Sequence, residues 1–153
     1  ETLEAEDQIV QKMFKTNLYA GIEFTKQLST NRCLNNPSSI IFIASVAAFK
    51  ASKALTFYAA TKGAILSTVK ALALELAPKK IRCNAVSPGW VHTEMSLNMG
   101  NVYPGGIEQI EKSHPLGIGS VNDVSNLILF LLSDESRWIT GSNYIIDGGY
   151  LIN

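Results

Sequence analysis

Tyr58 and Lys62, in the run Tyr58-Ala59-Ala60-Thr61-Lys62, stand four positions apart and so share one face of a helix. An ammonium brought toward a phenol favours the ionised phenol, and a pair of this kind can take up and return a proton. Ser45 lies thirteen positions before the tyrosine. Taken alone, Tyr-x-x-x-Lys is common, and a packed tyrosine followed by a solvated lysine reads the same way. The weight comes from the elements that would have to position the three residues.

A β-branched apolar run over 40–43 ends at Ala44-Ser45, and its polar flanks suit a strand covered on both faces. In parallel sheets ligands bind beyond the carboxyl ends of the strands, which is where Ser45 falls. A helix is predicted over 56–76, carrying Tyr58 and Lys62 near its start and ended by Pro78. A second strand over 81–87 runs into Pro88-Gly89, where the backbone is expected to turn sharply and approach a ligand. Upstream, residues 4–34 read as a long helix with an incomplete apolar stripe. Asn17 falls within it, and a mid-helix asparagine often marks a local irregularity, although a plain surface residue is the alternative. Asn35-Asn36-Pro37-Ser38 closes that helix as turn chemistry.

Ser45, Tyr58, Lys62 and the segment Ile81-Arg82-Cys83-Asn84-Ala85-Val86-Ser87-Pro88-Gly89-Trp90-Val91-His92-Thr93 together resemble the C-terminal part of a short-chain dehydrogenase/reductase, and the resemblance covers essentially all of the chain. It implies an α/β fold: the C-terminal part of a Rossmann-type doubly wound parallel sheet, with residues 1–153 forming a partial NAD(P)-binding domain. It implies Tyr58 as the acid or base, Ser45 as the hydrogen-bonding partner of the substrate oxygen, and Lys62 as the holder of the cofactor ribose hydroxyls. Asn17 would anchor a water of a proton relay through a helix kink. Pro88, Gly89, Val91 and Thr93 would line the cofactor, with main-chain bonds from Val91 to the nicotinamide carboxamide and the Thr93 hydroxyl nearby. Ala44 and Thr61 stand where many relatives have serine.

The family seats the cofactor pyrophosphate on a glycine-rich turn after its first strand. Neither Gly-x-x-x-Gly-x-Gly nor Gly-x-Gly-x-x-Gly occurs here, and the sequence opens at Glu1 on a helix-like segment. Three strand–helix units, about 90 residues, would hold that part. The sequence therefore reads as a fragment, and the polypeptide alone is expected to bind NAD or NADP poorly.

Composition fits one ordinary domain: 153 residues, 13 basic and 13 acidic side chains, 46% hydrophobic. Zero net charge argues against nucleic-acid and membrane-surface partners. The acidic opening and the lack of a long uncharged run point to the cytoplasm. Cys33 and Cys83 read as buried free thiols, and His92 and His114, far apart in loops, suggest no metal.

Residues 94–115, with Met95, Leu97, Met99, Tyr103, Pro104, Gly105 and Gly106, read as a long loop suited to a substrate lid. Ser120-Val121-Asn122-Asp123 caps a helix to about 132, and 144–146 forms a last strand before Asp147-Gly148-Gly149. Trp138 is expected to be a packing residue. Small residues at 59, 60, 63, 64, 67 and 71 line one side of the Tyr58 helix, and the resemblance pairs such helices across a homo-oligomer. The substrate expected is a small carbonyl or alcohol, with 3-oxoacyl groups on acyl carrier protein foremost and Lys79 and Lys80 available to an acidic carrier. Sugars, polyols, steroids and small ketones stay open. A second hypothesis makes the fragment a non-catalytic, oligomerising module through the free edge of the 40–43 strand, and a third makes the Tyr/Lys pair a coincidence in a binding module.

Overall fold

The computed structural model describes residues 6–30, 37–50, 52–94, 96 and 105–153. The apolar run at 40–43 lies within β1 (Ser38–Ile43), which two serines lengthen at its start. β2 (Ile81–Pro88) reaches one residue past the expected end, and β3 (Asn143–Ile146) starts one residue early. The three pair in parallel in the order β1-β2-β3. Ser38 stands opposite Ile81, Ile43 opposite Val86, Ala85 opposite Asn143 and Pro88 opposite Ile146. β2 is central and buried along most of its length, as a parallel strand covered on both faces should be.

Residues 7–30 are helical throughout, in three pieces: α1 (Asp7–Phe14), a π turn at Lys15–Tyr19, and α2 (Ala20–Thr30). The irregularity expected at Asn17 is this π turn. Cys33, Asn35 and Asn36 lie outside the described residues, as do Met95, Leu97, Met99, Tyr103 and Pro104 of the expected lid. What is described of the 94–115 segment is not wholly loop. Gly105 and Gly106, at φ 84° and 66°, lead into a short helix, α4 (Gly106–Lys112). α3 (Thr56–Leu76) carries Tyr58 and Lys62 as predicted. α5 (Val121–Leu132) starts on a complete capping box: Ser120 N–H and Oγ donate to Asp123 Oδ2 at 2.6 and 2.7 Å, and Asp123 N–H donates back to Ser120 Oγ.

Alternation along the strands sends the helices to both faces of the sheet. Ile40, Phe42, Cys83 and Ala85 pack into one cluster with Ile65, Val69 and Ala73 of α3 and Leu18 of the π turn. Ser39 and Arg82, paired across β1 and β2, point the other way. Ser39 Oγ and Arg82 Nη1 both donate to the Leu131 carbonyl at 2.8 Å, and Arg82 Nη2 donates to Ser133 O at 3.0 Å, so the arginine caps the C-terminus of α5.

Two expectations fail at the amino end of the sheet. Trp138 is not a packing residue: its side chain is 91% exposed, because the stretch between the 3-10 turn Asp134–Ser136 and Thr140 runs over the surface. Lys79 and Lys80 precede β2, a strand's length of roughly 25 Å from the carboxyl end. Lys79 Nζ is engaged there with the Ser29 carbonyl at 3.1 Å. Both lysines are misplaced for receiving a carrier at the Ser45 end.

Candidate active site

Ser45 is the first residue beyond the β1–β2 ladder, since Ala44 N–H still donates to Val86 O at 2.8 Å. Its backbone is extended and its Oγ accepts Ala47 N–H at 3.2 Å, capping the 3-10 turn Val46–Ala48. That leaves the hydroxyl hydrogen to donate elsewhere. The turn packs against α3, which brings Ser45 to the helix of Tyr58 and Lys62.

Lys62 takes a position the spacing alone did not foretell. Its Nζ donates to the Ile43 carbonyl at 2.8 Å and lies over the face of the Tyr58 ring, 5.6 Å from the centroid, without a hydrogen bond to the phenolic oxygen. The reason is the ladder: Ser38 and Ala44 donate toward β2, so Ser39, Ile41 and Ile43 turn their main-chain groups to the free side of β1. An ammonium within reach of an unpaired carbonyl bonds to it. Partial burial holds the Lys62 pKa below the usual lysine range. Two further N–H donors remain on the ammonium.

Asn17, in the π turn, donates from Nδ2 to Thr61 Oγ1 at 3.1 Å, and Thr61 Oγ1 donates to the Tyr58 carbonyl at 2.7 Å. Thr61 is fully buried. This chain pins the π turn to α3 between the tyrosine and the lysine. Asn17 and Lys62 both line a cleft of about 500 Å3 along the free edge of β1, with Phe24, Ile41 and Ile43.

Beyond β2 the ladder continues, with Gly89 N–H donating to Ile146 O at 2.9 Å. A Cβ on Gly89 would come within 2.8 Å of Asp147 Cα. Gly89 thus makes a close approach to the residue after β3, and Pro88 itself is still strand. Val91 forms a single parallel bridge with Gly119. The two bonds of that bridge belong to its neighbours: Gly119 N–H to Trp90 O at 3.0 Å and His92 N–H to Gly119 O at 2.8 Å. The N–H and C=O of Val91 face the other way, and no hydrogen bond occupies them among the described residues. A donor and an acceptor side by side on one residue match a primary carboxamide. Thr93 Oγ1 accepts Ser96 N–H at 3.1 Å, and Thr93 N–H donates to Ser96 Oγ at 2.8 Å.

The geometry thus gathers Asn17, Tyr58 and Lys62 around α3, places Ser45 against that helix, and sets Val91 and Thr93 on the neighbouring loop. Thr61 was noted in sequence only as a substitute for serine, although its position on the buried stripe with Ile65 and Val69 meant that its hydroxyl needed a partner. His114, which accepts Trp90 N–H through Nε2 at 3.2 Å, left no such mark. Cys83 is buried and unpaired, and burial pushes its thiol up to about 12. Among the described residues no three His, Cys, Asp or Glu side chains cluster as metal ligands, and no helix is long and apolar enough to cross a membrane.

Residues 1–151 match the family model described as Enoyl-(Acyl carrier protein) reductase. The human 3-oxoacyl-[acyl-carrier-protein] reductase is 34% identical over 94% of this chain and 57% of its own length. Pig carbonyl reductase [NADPH] 2 is 32% identical over 97% of this chain and 62% of its own. The chain thus spans about three fifths of these relatives. A short chain dehydrogenase family protein from Francisella tularensis superposes with a TM-score of 0.92 at 34% identity, covering 100% of this chain and 66% of that structure. A 4-hydroxyisoleucine dehydrogenase complexed with NADH superposes at 0.89 and 30% identity, over 99% of this chain and 63% of its own. The three parallel strands flanked by helices are part of the Rossmann-type sheet of these structures, and the chain belongs to the short-chain dehydrogenase/reductase family.

Proposed function

We propose that the protein carrying this chain is an NAD- or NADP-dependent oxidoreductase that moves hydride between the cofactor and the carbon of a carbonyl or alcohol. One observation carries the reading: Tyr58 and Lys62 share the first turns of α3, and Lys62 is tied to the carboxyl end of β1, two residues before Ser45. Reducing a carbonyl takes a hydride at carbon and a proton at oxygen, and the nicotinamide supplies the hydride when bound. Tyr58 gives the proton and recovers it in the reverse direction. Ser45, its Oγ already accepting from Ala47, donates its hydrogen to the substrate oxygen. Lys62 has two donors left for ribose hydroxyls, and its ammonium stands over the Tyr58 ring. Val91 offers its N–H and C=O to the carboxamide, with Pro88, Gly89 and Thr93 shaping the same loop. Asn17, through Thr61, fixes α3 against the π turn and anchors the relay that returns the proton.

For substrate we favour a 3-oxoacyl thioester, supported by the name of the human relative; the names of the pig carbonyl reductase and the chicken D-erythrulose reductase support another carbonyl compound or a sugar as the competitor. Delivery by acyl carrier protein gains nothing from Lys79 and Lys80, which stand at the wrong end of the sheet. Location in the cytoplasm and assembly as a homo-oligomer belong to the same reading. A second reading, that this stretch alone is an inactive oligomerising module, is supported by the edge of β1, which pairs with no further strand among the described residues, and by the length of its relatives.

The test is the full chain carrying these residues, assayed by NADH and NADPH oxidation with a 3-oxoacyl thioester and a panel of ketones and sugars. Tyr58→Phe should lower kcat by about 10²–10⁴-fold with nicotinamide affinity kept. Undiminished turnover in Tyr58→Phe would sink the assignment. The same titration on residues 1–153 alone separates the two readings: measurable cofactor binding and turnover remove the second.

A further inference from the structure

The site so described leaves unused a set of contacts joining the loops beyond all three strands. Lys50 N–H bonds to Val46 O at 3.1 Å, which fixes Lys50 to the turn that Ser45 caps. Its Nζ reaches the C-terminal 3-10 turn Tyr150–Ile152, donating to the main-chain oxygens of Tyr150 and Asn153 at 3.2 Å each and standing 4.3 Å from the Tyr150 ring centroid. That turn is anchored in its own right, since Asp147 Oδ1 and Oδ2 accept the N–H groups of Gly149 and Leu151 at 3.0 and 2.9 Å. The Tyr150 ring stacks on the His114 imidazole, with centroids 4.8 Å apart and planes 19° apart. His114 is buried, and its Nδ1 lies 2.7 Å from the Ile110 carbonyl, which can only accept. Nδ1 therefore carries the hydrogen, and Nε2 is left as the acceptor of Trp90 N–H. Trp90 immediately precedes Val91.

We propose that Lys50, Tyr150 and His114 form a clasp of positioning residues that sets the loop carrying Ser45 relative to the loop carrying Val91. It rests on the reading of Ser45 and Val91 as ligand-binding groups given above. None of the three touches the reacting atoms. Their effect is on the distance and angle between the group that holds the substrate oxygen and the backbone that holds the nicotinamide, where a misplacement of about 1 Å can cost about 10²-fold in rate. Ordinary packing contacts do not explain the arrangement as well: a lysine donates to two main-chain oxygens beside an aromatic ring, and that ring lies on a histidine whose tautomer is fixed by bonds on both nitrogens.

The experiment compares Lys50→Met, Tyr150→Leu and Tyr150→Phe in the full chain, by backbone amide NMR without ligand and by steady-state kinetics. Lys50→Met and Tyr150→Leu should move the Ser45, Trp90 and Val91 amide resonances together and raise the nicotinamide KM about tenfold at an unchanged melting midpoint. Tyr150→Phe, which keeps the ring and the main-chain acceptor, should retain both signals. The proposal falls if Lys50→Met leaves the Trp90 and Val91 resonances and the KM where they were. Lys50 is half-exposed, so that variant decides the matter even where Tyr150→Leu fails to fold. The amide shifts need no turnover; an active Tyr58→Phe enzyme would overturn the catalytic reading and leave the clasp still to be judged by NMR.

Discussion

Lys62 holds a charge in a place where burial disfavours it and a carbonyl welcomes it. Its folded pKa is lowered, so between that value and the ordinary lysine value of about 10.4 the unfolded chain binds more protons, and stability rises with pH across the window. Below the folded value both states are protonated and the penalty is constant. Lys62→Met should flatten this alkaline slope in denaturant titrations while abolishing turnover, with the melting midpoint at neutral pH no lower than the parent's. A midpoint that drops sharply would show that the bond to Ile43 outweighs the burial of the charge. At this scale the sequence was readable where local spacing decides the structure, as with the Ser120 cap and the placing of Tyr58 and Lys62 on one helix, but not in the turn of Lys62 to the Ile43 carbonyl. It was unreadable where a bond spans the fold: Asn17 meets Thr61 across 44 positions and Trp90 meets His114 across 24, and neither pairing leaves a periodic trace.

The strands and α3 were legible because β-branched runs and the spacing of Thr61, Ile65, Val69 and Ala73 follow from what the sheet buries. The long first helix was legible over the described residues 7–30 but not in winding, since Asn17 marked an irregularity without saying that it would be a π turn. Gly89 was legible as a close approach, and the structure names one neighbour in it, the residue after β3. With Asp147 Cα within 2.8 Å of where a Cβ would stand, Gly89→Ala must part the end of β2 from the residue after β3. We expect a loss of about 1–3 kcal/mol in stability, measured by urea unfolding, because overpacking against backbone cannot be relieved by a rotamer change. An unchanged midpoint would mean that the Asp147 loop yields freely, and the Val91 loop beside it would then be less rigid than its bonds imply.

On the whole molecule, several helices keep apolar side chains in the open, among them Ile9, Tyr19 and Phe24 on the 7–30 segment, Leu74, 79% exposed, on α3 and Leu129 on α5. The side of α3 bearing Gly63 is also open, with nothing within 4 Å of a Cβ built there. We expect sedimentation equilibrium to show self-association, and Leu74→Lys to weaken it by about tenfold or more. A parent chain monomeric at every accessible concentration would exclude these faces as its contact.

The bond from Lys50 to Tyr150 closes a loop of 100 positions. Closing so long a loop costs entropy that strand pairing must already have offset, so this contact is among the last to form as the chain folds and among the first to open in the native state. The parts of the molecule that would meet the ligand are therefore the latest to settle, and trimming a few residues from the chain's far end would slacken them while the sheet stays intact.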